Sequence, residues 1–477
     1  MSSAQVIRII ASALVLTSLT QLVSADEIKP QELIEKAPTL KGNVKDETYE
    51  NYLSKNNLVI LDLRTTLQAA QDDSLRIEAQ EYQLNQYHDA LIGAIGQFLP
   101  SITLSTSLLK RDGNIQLFSD QVLPVRQDSI QSRISGSFNF FQGGRVFFGF
   151  INSSLNHEKA KKDLDATKQK VLAETANHYF TLQRNAAELE SELARLTQAE
   201  QNLRERKIAL EAGDDIKVSV LLAEQEVEES KARIATLKQQ FYTESASLNR
   251  ELNIAPNILI LPINQAPDKA LLNWHDGINQ DQLVAFAVLH RPDLLSLKLQ
   301  VEAQRMAQYQ KLSPFLPVLS LTASTGFVGP EMNQQFPDSQ LTLSAQYNGL
   351  TNLGVSALAD FLQAKHLKMQ LKTQYLDQLK QLEAEITGLF AGVISGEQNL
   401  KASKAAYDAA QESYRQSLVR LNEGVGTSYE LTTTQTGLER ARTNYFNAVL
   451  NYQVAQVNLL KAIGMITIDN VVDGVKL

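Results

Sequence analysis

A chain that matches itself at two nearly constant offsets is built to fold twice into one plan, and that duplication constrains this sequence more than any other feature. At a shift of 217, Phe98-Leu99-Pro100 falls on Phe315-Leu316-Pro317, Ile77 on Leu294 and Gln83 on Gln300. At a shift of 211, Glu174 meets Glu385, Gly213 meets Gly424 and Leu248 meets Leu459. In each copy the proline closes a helical stretch and opens an extended one, because its ring cannot continue the helical hydrogen-bond ladder.

The second offset also carries a heptad ladder: Leu182, Leu189, Leu196, Leu203 and Leu210 recur as Val393, Leu400, Tyr407, Tyr414 and Leu421. A seven-residue apolar repeat specifies coiled-coil packing, and one register kept through both copies is more than scattered core positions would produce. No proline lies between Pro124 and Pro256 or after Pro337, so very long helices are permitted. One helix is expected from about Leu155 to Glu211, with an antiparallel partner from about Val218 to Asn253. Gly213 and Gly424 mark the turns. The first is followed by Asp214-Asp215 and the second by Val425-Gly426-Thr427-Ser428, as a C-cap and a new N-cap require.

Outside the hairpins the hydrophobic period falls from about 3.6 to 2, the mark of two-faced strands. Ile102, Leu104 and Leu108 alternate with Thr103, Ser105 and Ser107, and Leu319, Leu321 and Ala323 alternate with Ser320, Thr322 and Ser324. Their expected partners are Ile134-Gly136-Phe138-Phe140 and Leu341-Leu343-Ala345-Tyr347 by alternation. The polar positions are small and uncharged, which suits a hydrated lumen better than an open surface. Four strands cannot close a membrane barrel, since the two edges would leave backbone groups unpaired in hydrocarbon, so other chains must supply the missing neighbours.

The compartment is read from the start of the chain. Arg8 precedes an apolar stretch, Ile9 to Leu22, too short for a stable bilayer anchor, and Val23-Ser24-Ala25 offers small residues for cleavage. Residues 1–25 are expected to be a signal peptide. Residues 26–254 then form the first structural repeat (helix, two strands, long helical hairpin), 255–280 an irregular linker holding Pro256, Pro262, Pro267 and Trp274, 281–466 the second repeat, and 467–477 a C-terminal tail. With no cysteine, the chain has no disulfide, no thiolate metal site and no lipid-modified N-terminal cysteine. Its net charge of −8 is spread without a basic stripe, which argues against nucleic acid as a partner.

Nothing in the sequence suggests an enzyme. There is no nucleophile elbow, phosphate loop or His-x-x-x-His pair, the six histidines are dispersed, and no cofactor is expected. Gly143-Gly144 reads as a tight turn at the base of the strands. Phe138, Phe140, Phe141, Phe147, Phe148 and Phe150 read as an aromatic girdle or as core. Gly388, Gly392 and Gly396 read as close approach of a neighbouring helix, with a dedicated groove for a partner as the alternative.

These features resemble the TolC-like outer-membrane efflux proteins, the outer components of tripartite drug pumps and type I secretion systems. The resemblance rests on His290-Arg291-Pro292-Asp293-Leu294, Val301-Glu302-Ala303-Gln304, Phe315-Leu316-Pro317, Phe141-Gln142-Gly143-Gly144-Arg145, and Asn451-Tyr452 through Leu459-Leu460-Lys461-Ala462-Ile463-Gly464. It implies an α+β fold in which each chain of a homotrimer gives four strands to a 12-stranded membrane β-barrel, continued by an α-helical coiled-coil tunnel. It further implies an outer-membrane lipid environment, an adaptor that meets the hairpin tips in the periplasm of a Gram-negative-type cell, and an inner-membrane transporter that supplies the energy. Val425-Gly426-Thr427 resembles the family's tip turn; Ala212-Gly213-Asp214-Asp215-Ile216 departs from it. At the family's acidic gate position stands Glu430, and its second acidic position is Thr433 here, with Thr427 and Tyr429 as further tip contacts. A plain helix-start acid is the alternative for Glu430. The rival classes are a periplasmic coiled-coil scaffold and an adaptor protein without a channel.

Overall fold

Uninterrupted helix-forming sequence, bounded by glycines in the left-handed region, sets the length of the largest elements. The computed structural model describes residues 58–116, 122–263, 279–331, 334–349 and 351–475, which belong to one compact unit spanning 57–477. The expected signal peptide and Trp274 lie outside the described residues. In chain order the first copy comprises β1 (Leu58–Leu61), α1 (Leu63–Asp73), α2 (Leu75–Gly96), β2 (Ser101–Gln116), β3 (Val122–Gln142), α3 (Arg145–Ala212) and α4 (Lys217–Glu251). The second comprises β4 (Leu259–Pro262), α5 (Gln280–His290), α6 (Pro292–Gln310), β5 (Val318–Glu331), β6 (Gln334–Gln346), α7 (Val355–Asn422), α8 (Ser428–Ala462) and a short α9 (Ile468–Val472).

The copies agree closely in helix length. Helices α3 and α7 have 68 residues each, about 100 Å at about 1.5 Å per residue, and α4 and α8 have 35 each. Both long helices follow a left-handed glycine, Gly144 (φ 78°) or Gly354 (φ 76°). Helix α3 therefore begins at Arg145, earlier than the expected Leu155, because nothing between the two positions breaks a helix. Short helix pairs precede the strands in each copy, and Pro292 opens α6, where its missing N–H costs no hydrogen bond.

Strands β2, β3, β5 and β6 form one antiparallel sheet in that order, so β2 and β6 are its edges. Two apolar clusters tie the helices together. The larger joins Leu67 of α1, Phe180 of α3, Leu294 of α6, Ile386 and Val393 of α7 and Leu459 of α8, drawing on both copies. The smaller gathers Ile77, Leu182, Phe241, Leu248, Leu252 and Ile260.

The expected irregular linker 255–280 is corrected in part. Its Leu259–Pro262 segment is strand β4, paired in parallel with β1 from residue Leu58↔Leu259 to Leu61↔Pro262. Ile260 is fully buried, its N–H donates to Ser245 Oγ at 3.0 Å, and Asn249 Nδ2 donates to the Ile258 carbonyl at 2.6 Å. A four-residue strand whose partner lies some 200 positions away leaves no periodic signal in the sequence. The described part of the tail, 467–475, is likewise docked: Val471 is buried, and Arg64 of α1 binds Asp469 at 3.0 Å and Asp473 at 2.6 Å.

Candidate functional site

The sheet has two chemically opposite faces because side chains alternate along each strand. On one face Ile102, Leu104 and Leu341 are more than 70% exposed, and Leu104 sits opposite Ile134 as Leu321 does opposite Leu343. An apolar face left open to this extent is a surface for hydrocarbon rather than water. From Ile102 to Leu108 it spans about 20 Å at about 3.4 Å per residue, near the height of a membrane barrel's apolar band. The other face is built in rows across all four strands: Ser101, Ser137, Thr322, Thr342; then Thr103, Ser135, Ser324, Gln340; then Ser105, Arg133, Gly326, Asp338. Ser101 and Ser137 hydroxyls lie 2.6 Å apart, as do those of Ser320 and Ser344. Arg133 Nη2 meets Asp338 Oδ2 at 2.5 Å across β5, a pair the sequence reading did not single out.

The phenylalanines divide between surface and packing. Phe138 and Phe140 are exposed, while Phe150 packs edge-on against Phe98 with centroids 6.1 Å apart and Phe148 lies 5.4 Å from Tyr309. Of the three spaced glycines, Gly396 alone approaches a helix of its own chain: a Cβ there would lie 3.2 Å from Tyr452 Cδ2 on α8, whereas Gly388 and Gly392 face open space.

The ladder forms the seam of each hairpin. Leu182 and Val393 are buried, the remaining rungs are half-buried, and Tyr407 stacks on Tyr445 of α8 with centroids 5.8 Å apart. Amide contacts then set the two hairpins side by side: Asn177 Nδ2 donates to Asn458 Oδ1 at 2.9 Å, Asn447 Nδ2 to Glu188 Oε1 at 3.2 Å, and Gln435 Nε2 to Gln198 Oε1 at 3.2 Å. Pairwise patterns of this kind leave no trace in a hydrophobic periodicity.

Both tips thus lie at the same end of the unit, and the expected tip residues come together there. Gly213 (φ 84°) and Gly424 (φ 75°) each close a Schellman-type turn: Asp214 N–H donates to the Ala209 carbonyl at 2.8 Å, and Val425 N–H to the Arg420 carbonyl at 3.0 Å. At Gly426 a Cβ would lie 2.9 Å from Leu421 N, so the second turn requires glycine there. Thr427 is the N-cap of α8, its Oγ1 accepting from Glu430 N at 3.1 Å. Tyr429 is 81% exposed, and the Thr433 hydroxyl is turned back onto the Tyr429 carbonyl at 2.8 Å. Glu430 does not stand alone: its Oε1 is 3.4 Å from Arg420 Nε on α7. At the first tip Arg206 Nη1 lies 3.2 Å from Asp215 Oδ2. The Ser219 hydroxyl, then the Ile216 N–H, then Arg206 hold the Asp215 carboxyl below its ordinary range. Neither arginine was singled out from the sequence, although Arg420, a basic residue in the last turn of α7, was a readable signal.

Paired helical hairpins of unequal arms, a sheet polar on one face and apolar on the other, and the whole repeated once, define the fold class of outer-membrane channel-tunnels. The Campylobacter jejuni CmeC outer membrane channel superposes with a TM-score of 0.72 at 16% identity, covering 84% of this chain and 85% of that one. The outer membrane protein VceC of Vibrio cholerae superposes with a TM-score of 0.70 at 15% identity, covering 84% and 96%. The sequence profile of the outer membrane efflux protein family matches residues 60–253 and 283–465, and the chain belongs to that family. Among curated relatives, the toluene efflux pump outer membrane protein TtgF of Pseudomonas putida is 25% identical over 303 residues, 62% of this chain and 60% of TtgF. The chain thus aligns with less than two thirds of that relative's length.

Proposed function

We propose that this protein is the outer-membrane duct of a tripartite efflux pump: a homotrimer whose sheets close a 12-stranded barrel and whose helical hairpins extend it through the periplasm. It performs no chemistry, works with a periplasmic adaptor at the hairpin tips and an inner-membrane transporter, and holds its place through the barrel. The observation that carries this reading is the sheet with two open edges, β2 and β6, and an outer face on which Ile102, Leu104, Leu108, Leu341 and Leu343 stand exposed among a few small hydroxyl residues such as Thr325 and Ser339. Unpaired backbone groups in hydrocarbon cost several kcal/mol each, and a neighbouring copy removes that cost at both edges. TtgF's role in toluene efflux supports small organic solutes as the cargo. Fractionation should place the protein in the outer membrane, and crosslinking in mild detergent should trap three chains. Recovery in the aqueous periplasmic fraction would favour the scaffold reading instead, and a stable monomer that conducts ions would sink the trimer.

The second tip is the proposed periplasmic gate. Three copies of Glu430 around the axis would form an acidic ring, with Thr433 one turn further in adding no charge. Arg420 tempers that ring, but an exposed pair at 3.4 Å contributes only about 0–1 kcal/mol, so a cation can compete for the carboxylate. In single-channel recordings Glu430→Gln should lower cation preference and weaken block by multivalent cations from the periplasmic side, and Arg420→Gln should do the reverse. Unchanged selectivity in both variants removes the pair from the gate while leaving the duct intact.

A further inference from the structure

Resting on the duct reading, we infer that Arg133 and Asp338 form a charged collar on the lumen wall at mid-depth of the barrel, a solute-contact site remote from the tips. Anionic groups of passing solutes meet it at Arg133 and cationic groups at Asp338.

The collar is set by strand register. Arg133 of β3 faces Gly326 of β5, which faces Asp338 of β6, so the two charges sit one strand apart on the polar face. Only glycine fits between them: a Cβ on Gly326 would lie 2.1 Å from the Ser132 carbonyl oxygen and 2.7 Å from Arg133 Cα. With no side chain on β5 at that level, the guanidinium reaches over the strand and closes on the carboxylate. Ser105, opposite Arg133 on the other side, falls between Leu104 and Leu108 of the apolar band, which places the pair well inside the bilayer's thickness.

Two further observations make the pair a site rather than a surface decoration. Among the described residues, every other side chain in the rows from Ser101 to Ser107 is uncharged on that face, so the wall's field at this depth comes from these two groups. Their side chains are 32% and 41% exposed, on the polar side, so both reach lumen water. The bond to Asp338 uses one of the guanidinium's five N–H groups. Ionised side chains at membrane depth are costly unless they face water, and a channel with low-dielectric walls strengthens the field they project along it.

The test uses the full-length protein in planar bilayers under a potassium chloride gradient. Arg133→Gln should move the reversal potential toward cation preference, Asp338→Asn toward anion preference, and the double variant should return near wild type. A pair that merely fastens β3 to β6 would instead weaken assembly in both single variants with no opposed shifts. If the single variants do not assemble, the wall is read with the pair intact. The chain has no cysteine, so Ser105→Cys beside Arg133 and Gln340→Cys beside Asp338 each give one reactive thiol. The ratio of reaction rates with sulfonatoethyl versus trimethylammonioethyl methanethiosulfonate should be about threefold or more higher at position 105 than at 340. Equal ratios, or assembled single variants with wild-type reversal potentials, overturn the collar and leave the duct standing. A wild-type protein that neither fractionates with the outer membrane nor conducts overturns the duct and the collar together.

Discussion

Leu182 offers the sharpest measure of what the heptad ladder contributes. It is fully buried in the cluster containing Ile77, Phe241, Leu248, Leu252 and Ile260, which belong to α2, α4, β4 and the end of α4. Truncation to alanine removes three carbons from a site walled by three separate elements. The transfer term alone is about 2.4 kcal/mol at about 0.8 kcal/mol per buried carbon, and a cavity that rigid walls cannot fill raises the loss to about 3–5 kcal/mol. Leu203, on the same ladder but half-buried nearer the tip, has less to lose, and Leu203→Ala should cost less than half as much in the single chain. Val393→Ala, at the rung matching Leu182, falls between them because valine has one carbon fewer to give. Denaturant titration of purified protein in detergent, followed by far-ultraviolet circular dichroism, should rank the midpoints in that order. Equal midpoints for Leu182→Ala and Leu203→Ala would refute a seam that is packed most tightly at its inner end.

Three further outcomes follow from other parts of the fold. Leu196→Asp and Tyr407→Asp, at matching rungs, should both reduce the amount of assembled protein in the outer membrane, because each places a charge in an apolar seam at a cost of several kcal/mol; normal amounts of both would break the shared-register argument. Gly143 (φ 58°) lies where a Cβ would be 2.5 Å from the Ser313 carbonyl oxygen, so Gly143→Ala should lower thermal stability by more than the about 1–2 kcal/mol of left-handed strain, while Gly93→Ala in open space on α2 should be neutral or stabilising. His178 of α3 bonds Glu244 of α4 at 2.6 Å, which raises its pKa against the opposing effect of burial, with Glu251 and Glu174 adding to the rise. A raised folded pKa means that the stabilisation is complete below about pH 6.5 and is lost as pH climbs through the folded value. The stability gap between wild type and His178→Gln should therefore shrink on going from mildly acidic to alkaline pH, and a gap independent of pH would exclude the pair as its source.

What the sequence disclosed follows from which interactions are periodic. The duplicated plan, the helix lengths and the two faces of the sheet are written as repeating patterns of apolar residues and glycines, and long runs of a regular pattern outweigh local ambiguity. The β1–β4 pairing stayed hidden because four residues carry no period and their partner is remote. The same limit applies to polar recognition. Arg420 beside Glu430, Arg206 beside Asp215, Arg133 beside Asp338 and the amide contacts between α3 and α8 are single pairings fixed by tertiary register, so each residue read alone looks like an ordinary surface side chain. Glu430 was legible only because its place after a turn glycine matched a family pattern, and that pattern says nothing about the arginine facing it.

The two tips show what duplication kept and what it released. In both, an arginine near the end of the descending helix reaches an acid at the start of the ascending one, so each loop is spanned by a pair of opposite charges. The acid has moved, however. Asp215 precedes its helix and accepts the Ile216 N–H itself at 2.8 Å, acting as part of the loop's own closure. In the second tip the cap is Thr427, which leaves Glu430 in the first turn of α8 with its side chain outside the loop's closure. An acid already engaged by three donors in the loop has little freedom to meet a passing ion, whereas one held by a single long contact can exchange partners. The second loop is longer, with a close-packed Gly426, and makes room for the separate cap, so the difference in loop length between two otherwise equal hairpins leaves Asp215 tied into its turn and Glu430 with its one contact to Arg420.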